Sequence, residues 1–397
     1  MIEPSSEVPP DPAGQARPDC VLPAGDVFLA DGPTTAPAET RPAATTGATG
    51  RVEEGRPVPG LLESIAWIFG MLVIQFGVLI LTIVLFLWYG VSRGDIDLSR
   101  SGPIELANQL QTTLKGELLT SLGVSQLATI AYGLLAIQWR IRPAGILRLG
   151  WRFPRLFHWL LVGLLMPPMW LLSSSLFNVV LKWMPWAADS LKGMTELIAG
   201  APVWLSVLVI GMGPAVAEEL LFRAFIGRGL VGRRGLIPGM VITSILFGLM
   251  HLHPVQALGV IPLGFALHFV YFTTRSFWAP MTLHFLNNSL SVLWVQLGAE
   301  GTRLDKLVEA DSDLPLHILV VSIAMVASIA LILWQTRVRY ILSDGTAWNP
   351  GFVSSETPPA AAGAVAMRHR ASSLVLAAGA ISTLGFAAAL WLFATGG

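Results

Sequence analysis

Long apolar runs alternate with short polar connections from about residue 60 to the end of the chain. A helix that crosses a hydrocarbon core of roughly 30 Å needs about 20 apolar residues. The pattern predicts nine candidate spans, at about 62–89, 119–138, 156–181, 203–227, 236–252, 256–273, 278–297, 315–336 and 373–394. The first, third and fourth are long enough to tilt or protrude. Gln126 and Gln138 interrupt the second, and Pro167 and Pro168 are expected to kink the third. Gly70 and Gly77 in the first span read as helix-packing positions. Trp88, Trp139, Trp151, Trp183, Trp186 and Trp278 fall near span ends, as interfacial tryptophans do. The pattern is that of an all-α, multi-pass transmembrane bundle of eight to nine spans.

Composition sharpens this in two places. Hydrophobic residues make up 53% of the 397 and charged residues 13%, far from the balance of a water-soluble domain. Residues 1–58 depart from the rest: 11 of the 27 prolines lie before residue 60, among Ala, Gly, Thr and scattered charges. Such a segment cannot bury enough apolar surface to offset its ordering entropy, and it lacks the pattern of a secretory signal peptide. We therefore expect a disordered tail over 1–58 and a transmembrane domain over 59–397. The net charge is zero, and no basic tract suits nucleic acid. Cys20 is the single cysteine, which excludes an intramolecular disulfide and a cysteine-based metal site.

Lysine and arginine bias sets an expected orientation. Arg140, Arg142, Arg148, Arg152 and Arg155 crowd one connection. Arg228, Arg233 and Arg234, then Arg275, then Arg337 and Arg339, follow the fourth, sixth and eighth spans. With nine spans these four connections share one side, which places the N-terminus in the cytoplasm. The loop at 298–314, with Glu300, Asp305, Glu309, Asp311 and Asp313, falls opposite.

Three polar clusters interrupt the fourth to seventh spans: Glu218-Glu219 with Arg223, Phe247 with His251, and His284 with Asn288. An ionisable group at membrane depth is costly unless paired or set in a wet cavity, so each cluster is a functional candidate. Residues four apart share a helix face, so Glu219 can pair with Arg223 while Glu218, turned by about 100°, stays free for chemistry. His284 and Asn288 likewise share a face, with Asn287 pointing away. Counted from the basic ends of their helices at about 1.5 Å per residue, Glu218, His251, His284 and Asn288 stand roughly 18, 21, 9 and 15 Å up, close enough to meet.

Two chemistries suit such a cluster. A carboxylate beside imidazoles can act as general base on a water, with histidine and asparagine donors for an oxyanion. Alternatively, His251 and His284 can hold Zn²⁺, with the metal activating the water. A His-Glu-x-x-His helix, a Gly-x-Ser-Gly nucleophile and a Gly-x-Gly-Asp pair are absent, which argues against three other intramembrane protease designs.

The ordered set Glu-Glu-x-x-x-Arg, Phe-x-x-x-His and His-x-x-x-Asn, within about 200–297, resembles the CAAX protease and bacteriocin-processing family, which includes the type II CAAX prenyl endopeptidases. The resemblance implies an intramembrane endopeptidase with its core at 200–297 and a membrane-associated peptide or protein substrate, prenylated CAAX-type tails among the options. By position it implies Glu218 as the base, His251 as its partner, His284 and Asn288 as oxyanion stabilisers, and Glu219, Arg223 and Phe247 in support. The competing reading is a non-catalytic scaffold, immunity or sensor protein of the same fold. A proton-coupled transporter ranks below it, since no paired discontinuous helices are evident. Among the other histidines, His253 reads as a helix-end residue, His268 as a satisfied core residue, and His158 and His317 as interfacial.

Overall fold

In the computed structural model the described residues are 58–97, 102–141, 149–297, 303–308, 313–348, 363–367 and 369–396. The expected disordered tail lies, apart from Val58, outside them, as do Arg142, Arg148, Glu300, Glu309 and Asp311.

Every apolar run becomes a helix. The order is α1 (Leu61–Arg93), α2 (Pro103–Arg140), α3 (Leu156–Trp183), α4 (Ala188–Ala199), α5 (Val203–Arg234), α6 (Leu236–Leu249), α7 (Pro254–Thr274), α8 (Trp278–Leu297), α9 (Leu316–Gln335) and α10 (Ser373–Thr395). The protein is an all-α, multi-pass membrane protein. Seven of these helices are long and apolar enough to cross a bilayer: α1, the Gly116–Arg140 part of α2, α3, α5, α7, α9 and α10.

Two of the nine expected spans fall outside that set. The α6 helix has 14 residues, about 21 Å of rise against a core of roughly 30 Å. The α8 helix has 20 residues, but His284, Asn287, Asn288, Ser289, Ser291 and Gln296 dilute its apolar character. The helix that carries His284 and Asn288 is therefore too polar to count among the bilayer-crossing set.

The α3 helix continues through Pro167 and Pro168. The α4 helix was not expected: it is short and amphipathic, so no span-length apolar run marks it. Residues Arg339–Ile341 (β1) and Val365–Met367 (β2) form a small antiparallel ribbon, pairing Tyr340 with Ala366.

Lipid tails are as apolar as leucine side chains, so burial alone does not drive these helices together; close packing and polar ties do. Two large hydrophobic clusters result, beside a small one of Val180, Ala187 and Val255. Leu165, Leu267, Leu283, Met325 and Leu333 belong to one, among α3, α7, α8 and α9. Met71, Ile137, Phe222, Phe225 and Phe247 belong to the other, among α1, α2, α5 and α6. The α1 and α10 helices leave most of their apolar side chains exposed, as lipid-facing helices do.

The α1–α2 contact illustrates a polar tie. Tyr132 donates its hydroxyl to the Trp67 carbonyl at 3.0 Å, and a Cβ on Gly70 would collide with that hydroxyl. Gly77, in contrast, has open space around it and is not a packing position. Gly70→Val is thus expected to lower stability by about 1–3 kcal/mol through overpacking, with Gly77→Val near neutral. Detergent thermal unfolding of the two variants checks this, and equal shifts would refute it. Glu63 and Arg140 pair at 2.6 Å near the same end, but both are partly exposed and contribute only about 0–1 kcal/mol.

The basic connections gather at one end of the bundle. Phe277 donates its N–H to Gly150, and Val338 to Thr273. Arg152 donates to the carbonyls of Thr274 and Arg275. Gly60, at the start of α1, lies against Arg233. Here Arg275, in a left-handed conformation with φ 46°, stacks over Tyr340 and Trp348. Burial pushes its guanidinium down to about 10. His158 is buried rather than interfacial, and its Nε2 donates to the Thr336 carbonyl at 3.2 Å, tying α3 to α9.

Candidate active site

The α5 helix is not a uniform α-helix. Val207–Met212 and Glu219–Gly227 are π-helical, and the Gly213–Glu218 turn between them is α. Such wide turns are rare and concentrate at functional sites. Glu218 and Glu219 therefore straddle the junction of two helix types. All of 219–227 is buried.

Glu219 is fully enclosed, with no exposed surface. Its Oε1 accepts from Arg223 at 2.8 Å and from His284 Nδ1 at 2.9 Å. Arg223 also donates to the Gly264 carbonyl at 3.1 Å, and its guanidinium lies 4.3 Å from the centre of the Phe247 ring. Two helices and a carbonyl of α7 are thereby locked around one ion pair. The spacing-based pairing of Glu219 with Arg223 is present as an ion pair, although the turns between them are π rather than α.

Glu218 differs. Its side chain keeps 12% exposure and its Oε2 lies 3.8 Å from His284 Nε2, too far for a hydrogen bond. That oxygen is buried without a hydrogen-bond partner. His284 thus stands between the two glutamates, bonded to one and facing the other. Among the described residues no hydrogen bond joins Glu218 to His251, and the imidazole that faces Glu218 at 3.8 Å is that of His284.

His251 closes the site from α6. Its Nδ1 donates to the Phe247 carbonyl at 3.0 Å, which fixes the tautomer and leaves Nε2 as an acceptor. After α6 the chain turns through Leu252, whose φ is 58°. A positive φ at leucine is uncommon, and outliers of this kind cluster at functional sites. The Phe247 ring packs edge-on against both His251 and His284. His253 caps α7 by accepting the Gln256 N–H at 3.4 Å, the helix-end role expected of it. His268 is a core residue, packed against Tyr271 and Gly227, with Nδ1 unpartnered.

Asn288 faces the first π segment of α5 and donates to the Ile210 carbonyl at 3.3 Å. Helix α8 comes this close because residue 211 is glycine; a Cβ there would stand 2.6 Å from Ser289 Oγ. Gln296 secures the far end of α8, donating to Ala201 and Ser206 Oγ at 2.9 and 3.1 Å. Asn287 does not point away: its Nδ2 donates to Asn288 Oδ1 at 3.3 Å.

The donor set bears on the zinc alternative. Catalytic zinc takes three protein ligands in near-tetrahedral array. Among the described residues no group of three or more His, Cys, Asp or Glu is gathered to hold a metal. Nδ1 of His284 bonds to Glu219 and Nδ1 of His251 to a carbonyl, which leaves the two Nε2 atoms available as ligand atoms, an arrangement that metal-ligating histidines share. As placed, the described residues bring two imidazoles but no third ligand together for a zinc site.

A family model described as type II CAAX prenyl endopeptidase Rce1-like matches residues 200–290. The chain is 26% identical over 106 residues to a Bacillus subtilis (strain 168) protein named "Putative membrane peptidase YdiL", over 27% of this chain and 43% of that protein. The chain thus spans less than half the length of the curated relative it matches. No solved structure matches it. The matched segment encloses Glu218, Glu219, Arg223, Phe247, His251, His284 and Asn288. Over that segment the chain is similar to the type II CAAX prenyl endopeptidase Rce1-like family, the resemblance expected from its three polar clusters.

Proposed function

We propose that this chain is an intramembrane endopeptidase that hydrolyses a peptide bond of a membrane-associated substrate with a water activated by Glu218. The observation that carries this reading is the contrast between the two glutamates. Both leave Oε2 without a partner, but Glu219 is enclosed and bound through Oε1 to Arg223 and His284, whereas Glu218 retains some exposure and faces His284 at 3.8 Å.

The chemistry follows from those positions. Glu218 takes a proton from water as the water oxygen bonds to the substrate carbonyl carbon. The carbonyl becomes a tetrahedral oxyanion, and Glu218 then passes the proton to the departing amine as the C–N bond breaks. His284, held through Nδ1 by Glu219, orients the Glu218 carboxylate. His251 Nε2 accepts a hydrogen bond from the same water. The long Asn288 bond to Ile210 gives way to the developing oxyanion, which accepts more strongly. Arg223, Glu219 and Phe247 keep this group in register. We place the basic end of the bundle, with the N-terminus, on the cytoplasmic side, and assign 1–58 to a tail separate from the transmembrane domain.

Two measurements test this. Mass spectrometry of new peptide termini in membranes expressing the chain is expected to reveal cleavage products that vanish with Glu218→Gln. Treatment with 1,10-phenanthroline is expected to leave cleavage within about twofold, because no metal is asked to lower the pKa of the water. Loss of all activity on chelation, restored by zinc, would replace the glutamate scheme with the metal one.

A further inference from the structure

A cavity of about 590 Å³ lies between α3, α4, α7 and α8, bordered by Trp170, Ser173, Ser174, Phe177, Asn287 and Ser291. Its size falls within the range of about 300–1,000 Å³ typical of ligand pockets. None of Glu218, His251, His284 or Asn288 lines it. Asn287, the neighbour of Asn288 in the chain, lines it.

Its walls are neither dry nor saturated. Ser173 Oγ and Asn287 Oδ1 are buried without a hydrogen-bond partner. The Asn287 Oδ1 only accepts, so the group it lacks is a donor, while the Ser173 hydroxyl can take either role. Around them the wall is held in place. Trp170 donates Nε1 to Ser291 Oγ at 2.9 Å, and Ser291 in turn donates to the Asn287 carbonyl at 3.1 Å. The aromatic rings of Trp170 and Phe177 provide apolar lining. Backbone N–H donors next to apolar side chains are what a peptide segment offers, whereas a lipid tail carries no donor.

Asn287 joins this cavity to the site. Its Nδ2 donates to Asn288 Oδ1, and Asn288 Nδ2 donates to Ile210. An amide that donates through Nδ2 and accepts through Oδ1 transmits the orientation imposed at one end to the other. We infer that the cavity is a subsite for a peptide segment of the substrate beyond the scissile bond, and that Asn287 is a positioning residue linking its occupancy to the orientation of Asn288. The inference rests on the peptidase reading above and adds to it the place where the substrate is held.

The test uses the full chain in proteoliposomes, with Cys20→Ser and Ser174→Cys placing one thiol on the cavity wall, and a pool of internally quenched decapeptides as probe. With Glu218→Gln added to prevent turnover, the pool is expected to slow maleimide labelling of that thiol about fivefold or more. Asn287→Ala is expected to remove the protection. In the chain with Glu218 intact, Asn287→Ala is expected to raise KM about fivefold, one hydrogen bond's worth, and also to lower kcat. Ser173→Ala is expected to raise KM alone. Should Asn287→Ala not fold, Ser173→Ala carries the same binding readout.

Labelling that peptides do not slow, while the chain with Glu218 intact cleaves those peptides, overturns the subsite and leaves the hydrolase reading standing. Protection without any cleavage supports the subsite and counts against the hydrolase reading. Protection that survives Asn287→Ala with kcat unchanged removes Asn287 from the proposal, and absence of both protection and cleavage overturns the whole inference.

Discussion

Replacing Glu219 by alanine is expected to destabilise the protein by about 3–5 kcal/mol, because it leaves a buried guanidinium without its counter-charge. Arg223 and Glu219 are almost wholly enclosed and meet at 2.8 Å. Arg223 cannot neutralise itself by losing a proton at any ordinary pH. The Gly264 carbonyl and the face of Phe247 are dipoles, and Glu218, which also attracts the guanidinium, makes no ion-pair contact with it to take the place of Glu219. Arg223→Met is expected to be as damaging from the other side, leaving Glu219 charged and His284 as its single bonding partner. Removing both charges together, as Glu219→Leu with Arg223→Met, is expected to recover much of the loss, because desolvating the pair is itself costly. Detergent or thermal unfolding of the three variants reads this directly. A double variant no more stable than either single one would mean that the pair supports the fold in some way beyond charge compensation.

Glu218→Gln is expected to do the opposite: cleavage falls by about 10²–10⁴-fold, the range for removing a general base, while the unfolding midpoint stays near that of the parent. Glutamine keeps the shape and part of the exposure of Glu218. No hydrogen bond to Glu218 Oε2 exists to be lost, so the fold has little at stake there. His284 would still be held by Glu219 through Nδ1. What disappears is the ability to take a proton from water. A non-catalytic scaffold or sensor of the same fold predicts that Glu218→Gln retains the cellular phenotype, so the same variant separates the two readings.

The helices were legible because bilayer-length apolar runs are hard to mistake, and the three polar clusters stood out against them. The Glu219–Arg223 pair was legible because residues four apart share a face in α- and π-turns alike. The π segments were not, since an i→i+5 hydrogen-bond pattern leaves no mark in residue type. They set the direction of the glutamates, so the placement of His284 between Glu218 and Glu219 could not be read from α-helical spacing. Asn287 was expected to point away from Asn288, but a flexible carboxamide can fold back along its own helix. His158 looked interfacial from its place at a span end, and only tertiary packing brings Thr336 over it. Gly77 has the composition of a packing glycine with no neighbouring helix against it.

The most direct test of the central claim measures cleavage and unfolding together, in one proteoliposome preparation each of the parent, Glu218→Gln and Glu219→Gln. The account predicts that Glu218→Gln unfolds like the parent yet yields no new peptide termini, whereas Glu219→Gln unfolds markedly earlier. Parent-like cleavage by a well-folded Glu218→Gln chain would contradict it.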